Sequence, residues 1–143
     1  MTIRRAPSGR EPGEMTASPD LARRRLAELE RALAIGFPSE STVVAHADDA
    51  SGRLTIQVSW VRQPVGESGR EWRCAVDLVL EPGVLARYAA LDASGRLRVN
   101  AHLCDVARRA VDARKPRVEE AAIDCSVSVA VTAQMVDDAA RGP

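Results

Sequence analysis

The sequence predicts an α+β domain, a two-layer sandwich in which helices pack on one face of an antiparallel four-stranded sheet. Apolar and polar residues alternate in four stretches, which is typical of strands with one buried and one exposed face. Other segments repeat apolar residues at helical spacing. The predicted elements follow the order α-β-β-β-α-α-β, which allows the helices to cover one face of the sheet.

The chain has 143 residues, a length that suits one domain. Residues 1–17 combine Pro, Gly, Arg and Glu without periodicity and predict a disordered N-terminal arm. Residues 18–136 form the predicted α+β domain. Residues 137–143 return to polar composition and predict a disordered C-terminal tail.

The first helix is predicted to begin after Ser18, whose hydroxyl can cap the helix, with Pro19 at the first helical position. Gly36 is a natural C-terminal stop. One face of this helix carries an apolar stripe at helical spacing: Ala22, Leu26, Leu29 and Leu33.

The first strand is predicted from Thr42 to Ala47, and the turn-forming residues 48–53 connect it to a second strand that ends near Arg62. A second hairpin joins strands two and three. A turn placed symmetrically in the loop sets Trp60 opposite Trp72 and Val58 opposite Cys74. This register keeps the apolar residues on one face, whereas a one-residue slip would not.

A short helix is predicted from Val84 to Leu91, and Asn100 is predicted to cap a longer third helix that Pro116 terminates. The last strand is predicted from Ala122 to Ala133, because apolar and small polar residues alternate there without a break.

Composition excludes several classes of protein. Lys+Arg and Asp+Glu both total 20, so the whole molecule carries no basic field that would attract nucleic acid or acidic membranes. No stretch approaches the roughly 20 apolar residues that span a bilayer. No apolar segment follows the N-terminal arginines as in a secretory signal. These features predict a cytoplasmic protein without membrane contact.

Three cysteines, Cys74, Cys104 and Cys125, form an odd and sparse set, which indicates free thiols in a reducing compartment. Cys74 and Cys125 alternate in phase with apolar residues and are therefore predicted to be small core residues. His102 and Cys104 are too poorly spaced for a zinc ligand pair. The sequence predicts no metal site and no cofactor.

No nucleotide-binding or hydrolase motif occurs, and no catalytic residue is predicted. His46 is expected on the exposed sheet face beside Thr55, and His102 on the first turn of the third helix near Asp105. We interpret both histidines, and Asp77 on the exposed face, as solvated side chains.

A basic cluster is the strongest polar signal, and it suits phosphate or acidic partners. It comprises Arg108, Arg109, Arg114, Lys115 and Arg117. The solvated helix surface is the favoured interpretation, and nucleic-acid binding is the alternative. The first part of the chain resembles double-stranded-RNA-binding domains in element order. Those domains place their lysines at the N-terminal end of the helix that follows the strands, whereas the cations of this chain lie at the C-terminal end of that helix.

The leading functional hypothesis is a non-enzymatic protein-interaction domain that binds an unknown protein, or a second copy of itself, through the open face of the sheet. That face is expected to be weakly charged and partly apolar. Its apolar members are Val44, Val61, Ala75, Val79 and Ala130. A second alternative is a small-molecule binder or enzyme with a pocket near Trp60, Trp72, Tyr88 and His102.

The span from Trp60 through Arg109 resembles small proteobacterial proteins grouped as domains of unknown function. The resemblance rests on the Trp-bearing hairpin, on the run Trp72-Arg73-Cys74-Ala75-Val76 and on the amphipathic helix Asn100 to Arg114. It covers about a third of the chain. Because such families carry no assigned activity, it implies no catalytic residue.

Overall fold

A computed structural model of the protein describes residues 18–38, 40–62, 71–114, 117–118 and 122–142. The predicted N-terminal arm, residues 1–17, lies outside the described residues. The described helices are α1 (Pro19–Ile35), α2 (Val84–Ala89), α3 (Ala93–Ala113) and α4 (Ala133–Arg141). The described strands are β1 (Thr42–Asp48), β2 (Arg53–Arg62), β3 (Glu71–Leu80), β4 (Arg117–Val118), β5 (Ala122–Asp124) and β6 (Val127–Val131).

Helix α1 begins as the sequence predicts. Ser18 Oγ accepts a hydrogen bond from the backbone N–H of Leu21 at 3.1 Å, and Pro19 occupies the first helical position. The apolar stripe buries Leu29 and Leu33. The helix ends before Gly36, so both predicted boundaries of α1 are confirmed.

Helix α3 begins earlier than predicted. Asp92, and not Asn100, is its N-cap, and its carboxylate accepts from the backbone N–H of Gly95 at 2.7 Å. Asn100 lies inside the helix and is buried. The prediction that Asn100 caps the helix is wrong, because its side chain is satisfied by a tertiary hydrogen bond from Tyr88.

Helix α4 replaces part of the predicted tail. The chain leaves β6 at Val131, and Thr132 Oγ1 caps α4 by accepting from the backbone N–H of Met135 at 3.2 Å. Val136 is buried in the core. The predicted tail, residues 137–143, therefore belongs in its first part to a packed helix, because one apolar face of α4 contacts the rest of the domain.

The sheet is mixed rather than antiparallel. Strands β1, β2 and β3 form the predicted antiparallel meander. Strands β5 and β6 lie end to end along the other side of β3, and both run parallel to it. The antiparallel prediction is wrong there, because the chain crosses through α2 and α3 before it returns to β3, and such a crossover produces parallel pairing.

The predicted second hairpin has the correct faces but the wrong register. Trp60 pairs with Cys74 and Val58 with Val76, so each partner lies two residues beyond the predicted one. Trp72 pairs with Arg62. A shift of two residues preserves the alternation of faces, which explains why the apolar pattern did not distinguish the two registers.

One apolar cluster joins the sheet to the helices. The sheet contributes alternate residues, including Ile56, Val58, Val76 and Leu78, all with no exposed surface. The helices contribute Leu29, Leu33, Val84, Tyr88, Val99, Leu103, Ala107 and Val136. With Tyr88 and Trp60 as its buried aromatic residues, this cluster depends on aliphatic packing.

Candidate functional site

The residues that alternate with the core residues of the sheet point to its other face, which we call the exposed face. Its described side chains are Thr42, Val44, His46, Asp48, Arg53, Thr55, Gln57, Ser59, Val61, Arg73, Ala75, Asp77, Val79, Ser128 and Ala130. The five apolar residues predicted for the open face all belong to it. Their side chains range from half-buried to exposed.

Strand register places these side chains in rows across the sheet. One row contains His46, Thr55, Val79 and Ala130. The predicted proximity of His46 and Thr55 is therefore confirmed, and His46 is exposed. Since directly opposed residues on one face have Cβ atoms about 4.5–5.5 Å apart, each row presents a continuous strip of side chains.

The next row contains Val44, Gln57, Asp77 and Ser128, and it includes an interaction that sequence reasoning missed. Gln57 Nε2 donates a hydrogen bond to Asp77 Oδ1 at 2.8 Å, and both residues are half-buried. The interpretation of Asp77 as a simply solvated side chain is therefore wrong. Because β2–β3 pairing sets Gln57 directly opposite Asp77, only the observed register identifies the partner.

Exposed apolar side chains lie on the same face. Val44 is 50% exposed on β1 and Val61 is 56% exposed on β2. Among the described side chains, Asp77 is the charged residue of the central rows, and its carboxylate accepts from Gln57, whereas Asp48, Arg53 and Arg73 place charge at the two ends of the face. Low charge combined with exposed apolar groups is typical of the central part of a protein interface.

A groove of about 500 Å³ lies at one end of the face. Its lining includes Thr42, Ser59, Val61, Arg73 and Ser126. Trp60 also borders it, and its ring lies 5.2 Å from that of Phe37, measured between centroids. The groove brings hydroxyl groups, the Arg73 guanidinium and the acidic residue Glu40 together at this end of the face.

A disulfide joins Cys74 on β3 to Cys125 between β5 and β6, with the two Cα atoms 4.7 Å apart. The prediction of free thiols at these positions is wrong, although both residues are buried as predicted. The error arises because β5 and β6 return beside β3, which brings together two core positions that are 51 residues apart.

Cys104 is the remaining cysteine and is free. It is half-buried on α3, and its thiol donates to the carbonyl oxygen of Ala32 at 3.4 Å. Burial raises the pKa of the Cys104 thiol, which lowers its thiolate fraction and its reactivity.

Two described arginines of the basic cluster already have partners within the protein, so the cluster is only partly available to bind an anion or nucleic acid. Arg109 pairs with Asp105 at 3.0 Å, and Arg108 Nη1 donates to the carbonyl oxygen of Gly36 at 3.4 Å. Arg108, Arg109 and Arg114 are exposed at the end of α3. Lys115 lies outside the described residues, and Arg117 begins β4. The described part of the cluster is thus a solvated helix surface with local partners.

The residues proposed for a small-molecule pocket do not meet in one of the described grooves, and the side chain of Trp72 lies outside the described part of the chain. Tyr88 is buried within the helices, whereas His102 is exposed on α3 beside a groove of about 490 Å³ between α3 and α4. Trp60 borders the other groove, on the exposed face. His102 also lies well inside α3 rather than on its first turn, because the helix starts at Ala93.

The helices enclose a polar network that sequence reasoning missed. The Tyr88 hydroxyl donates to Asn100 Oδ1 at 2.7 Å and lies 3.4 Å from Glu28 Oε2. Arg96 Nε donates to Glu28 Oε2 at 3.0 Å, and Arg25 Nη1 donates to Glu28 Oε1 at 3.0 Å. The network ties α1, α2 and α3 together.

The network shifts two pKa values. Burial, aided by the nearby charge of Glu28, raises the pKa of Tyr88 to about 12. Burial also raises the pKa of Glu28, but hydrogen bonds and positive charge from Arg96 and Arg25 outweigh it, so the net pKa is lowered. Both groups are therefore held in their ordinary neutral-pH forms, Tyr88 neutral and Glu28 ionised.

Two further absences apply to the described part of the chain. Its His, Cys, Asp and Glu residues form no group of three that could hold a metal ion. Its helices are too short or too polar to cross a membrane.

The family model described as Protein of unknown function (DUF3022) matches residues 26–130. The match extends beyond the predicted resemblance over Trp60–Arg109 and confirms similarity to a family of unknown function. No curated protein and no solved structure matches the chain.

Proposed function

The chain belongs to the DUF3022 family of proteins of unknown function, and we propose that it is a non-enzymatic protein-interaction domain that binds through the exposed face of its sheet. The observation that carries the proposal is the exposure of Val44 and Val61, 50% and 56%, on a face whose described charged side chains, apart from Asp77, lie at its two ends. Burial of such groups against a partner is favourable, at about 25 cal/mol for each Å² removed from water.

The arrangement of elements supports the same proposal. In our proposal the helices form one layer on the core side of the sheet, so that the sandwich has two layers and the second face of the sheet is left for a partner. The core residues from all four described helices join the alternate sheet residues in one cluster. A protein surface of this composition suits a partner with its own apolar and hydroxyl-bearing patch.

The Gln57–Asp77 hydrogen bond gives the face a fixed polar centre. A partner can use the remaining acceptor capacity of the Asp77 carboxylate without first breaking the bond, since an ionised carboxylate accepts several hydrogen bonds. The apolar groups therefore provide affinity and the central carboxylate provides orientation.

Charge substitution on the exposed face tests the proposal. Val61→Asp and Ala130→Asp place carboxylates on the face without altering a core residue. Leu97→Asp is the matched control, because Leu97 is 67% exposed but lies on α3. Affinity capture from native cells, followed by binding measurements with the purified partner, compares the three variants with the wild type.

We expect a partner, or a second copy of the chain, to bind the wild type and Leu97→Asp alike. Binding to Val61→Asp and Ala130→Asp should weaken at least tenfold. Equal binding to all four proteins would show that the exposed face is not the binding surface.

Nucleic-acid binding through the basic cluster is the less supported alternative. Arg109 is paired with Asp105, and Arg108 contacts the Gly36 carbonyl, so two of the cluster's cations already have partners. Duplex RNA and DNA titrated at low salt should give no shift in fluorescence anisotropy. A salt-dependent shift that Arg114→Ala weakens would favour this alternative over protein binding.

The cytoplasmic location stays a prediction, and the disulfide between Cys74 and Cys125 argues against it. Disulfides persist mainly in oxidising compartments. Alkylation of thiols in intact cells before lysis, followed by mass spectrometry, tests the location. Alkylated Cys74 and Cys125 would favour the cytoplasm, whereas an intact bridge would favour an oxidising compartment.

A further inference from the structure

We propose that the edge of β1 left unpaired by the described strands pairs in antiparallel fashion with β1 of a second copy of this chain, which produces a two-fold dimer with one continuous sheet. This inference concerns the edge of the sheet and not its exposed face, so it goes beyond the proposed function and can fail separately. Edge pairing would join the exposed faces of the two copies into one larger surface.

Strand β1 is an edge strand in the described sheet, and its own residues lack the usual protective features. It is terminal in the strand order and pairs with β2 alone among the described strands. Natural edge strands are commonly protected by Lys, Pro, bulges or inward-pointing charges. The seven residues of β1 contain neither Lys nor Pro, its ladder with β2 is continuous, and its charged residue, Asp48, is the last.

The helices cover β1 incompletely. Val43 and Ala45, which point to the core side, are only half-buried, and Ala47 is exposed. Their neighbours on β2, Ile56 and Val58, have no exposed surface. The apolar layer therefore stops short at β1, and a second strand beside it would extend that layer.

A groove of about 530 Å³ lies beside the end of β1 on this side. Its apolar lining includes Ala22, Ala47, Leu54 and Leu85. Small side chains at Ala45 and Ala47 leave room for larger ones from a neighbouring strand. In the dimer, Val43 of the second copy lies opposite Ala47 and next to this groove, so a large residue faces a small one.

Backbone direction fits the pairing. The carbonyl oxygen of Asp48 accepts from the N–H of Gly52 at 2.8 Å, so the Asp48 backbone faces β2. In an antiparallel ladder the backbone groups of successive residues face opposite sides. The N–H and C=O groups of Val43, Ala45 and Ala47 therefore face outward and are oriented toward a second strand.

Self-complementarity selects the register. The two-fold axis must pass through a residue and not between two residues. An axis between Val44 and Ala45 would pair these two residues, which point to opposite faces of the sheet. An axis at Ala45 uses the whole strand and pairs Val44 with His46, and Thr42 with Asp48. An axis at Val44 would shorten the ladder and set Glu40 opposite Asp48, a like-charge contact that is unfavourable.

Sedimentation velocity tests the edge. Ala45→Pro removes an outward-facing N–H, a change that edge strands tolerate because no intrachain ladder bond is lost. The wild type should sediment as a dimer and Ala45→Pro as a monomer with an unchanged far-UV circular dichroism spectrum. Val61→Asp should stay dimeric. A monomeric wild type at all concentrations would overturn the inference.

A dimer that Val61→Asp dissociates and Ala45→Pro does not would also overturn the inference, but it would support the proposed function. Conversely, if Val61→Asp loses partner binding but remains a dimer, the partner binds the exposed face and the dimer forms through the β1 edge.

Cysteine cross-linking tests the register independently of Ala45→Pro. In a Cys104→Ser background, Val44→Cys and His46→Cys are prepared as separate proteins and mixed under mild oxidation. The proposed register sets these two positions opposite each other as a non-hydrogen-bonded pair, with Cα atoms about 4.5 Å apart, within the range for disulfide formation. We expect a covalent heterodimer that neither variant forms alone. Its absence would overturn the register, and a mixture of Thr42→Cys and His46→Cys is the control, which should not cross-link.

Discussion

Removal of the disulfide between Cys74 and Cys125 should lower the free energy of unfolding by about 4 kcal/mol. The two residues are 51 apart in sequence, and closing a loop of that length in the unfolded chain removes conformational entropy worth about 4 kcal/mol at 25 °C. The native state should persist, because the N–H of Cys125 still donates to the Arg73 carbonyl at 3.0 Å, and β6 still pairs with β3.

Urea unfolding followed by far-UV circular dichroism measures this loss in the double variant Cys74→Ala/Cys125→Ala. The wild type with excess reductant should lose a similar amount. Cys104→Ser is the matched control, since Cys104 is outside the bridge. It should unfold like the oxidised wild type and respond to reductant in the same way, whereas the double variant should not respond.

Thiol labelling of the denatured, non-reduced protein gives an independent check. Only Cys104 should react, because the other two cysteines are bridged. Labelling at all three positions, or a loss of stability below about 1 kcal/mol where chain entropy requires several times more, would refute the reasoning.

Three further predictions concern the helical network and one turn. Tyr88→Phe removes the donor to the buried Asn100 and should cost about 1–3 kcal/mol in urea unfolding, since the acceptor is left unsatisfied. The lowered pKa of Glu28, held by Arg96 and Arg25, means that its contribution to stability is present above the ordinary pKa of 4.5 and is lost as the pH falls through the lower folded value. Glu28→Gln should therefore flatten the acid side of the stability profile, and an unchanged profile would contradict this. Gly52→Ala should cost about 1–2 kcal/mol in thermal unfolding, because Gly52 has φ of 73° in the β1–β2 turn, a conformation unfavourable for residues with a Cβ.

Local patterns were the reliable part of the sequence-based prediction. The cap at Ser18 and the stop at Gly36 depend on groups within a few residues, and both are found in the structure. Helix α4 was missed although it has a similar local signal in Thr132 and the apolar residue Val136. The alternation of the preceding strand extended the predicted strand to Ala133, and the polar composition of residues 137–143 predicted a tail, so no helix was assigned there.

The candidate site was predictable in its composition and not in its contacts. Alternation alone assigned Val44 and Val61 to one face, and the structure agrees. The Gln57–Asp77 bond depends on the β2–β3 register, which lies two residues from the predicted one. An even shift leaves every apolar residue on the same face, so the pattern carries no information about it.

The sequence by itself determined which residues of the described strands share a face, because alternation is a local consequence of extended backbone geometry. Tertiary structure decided everything that depends on which strands become neighbours. The crossover through α2 and α3 set β5 and β6 parallel to β3, and that placement brought Cys125 to Cys74. Contacts between residues this far apart result from how the whole chain packs, and a periodic pattern within one segment does not encode them.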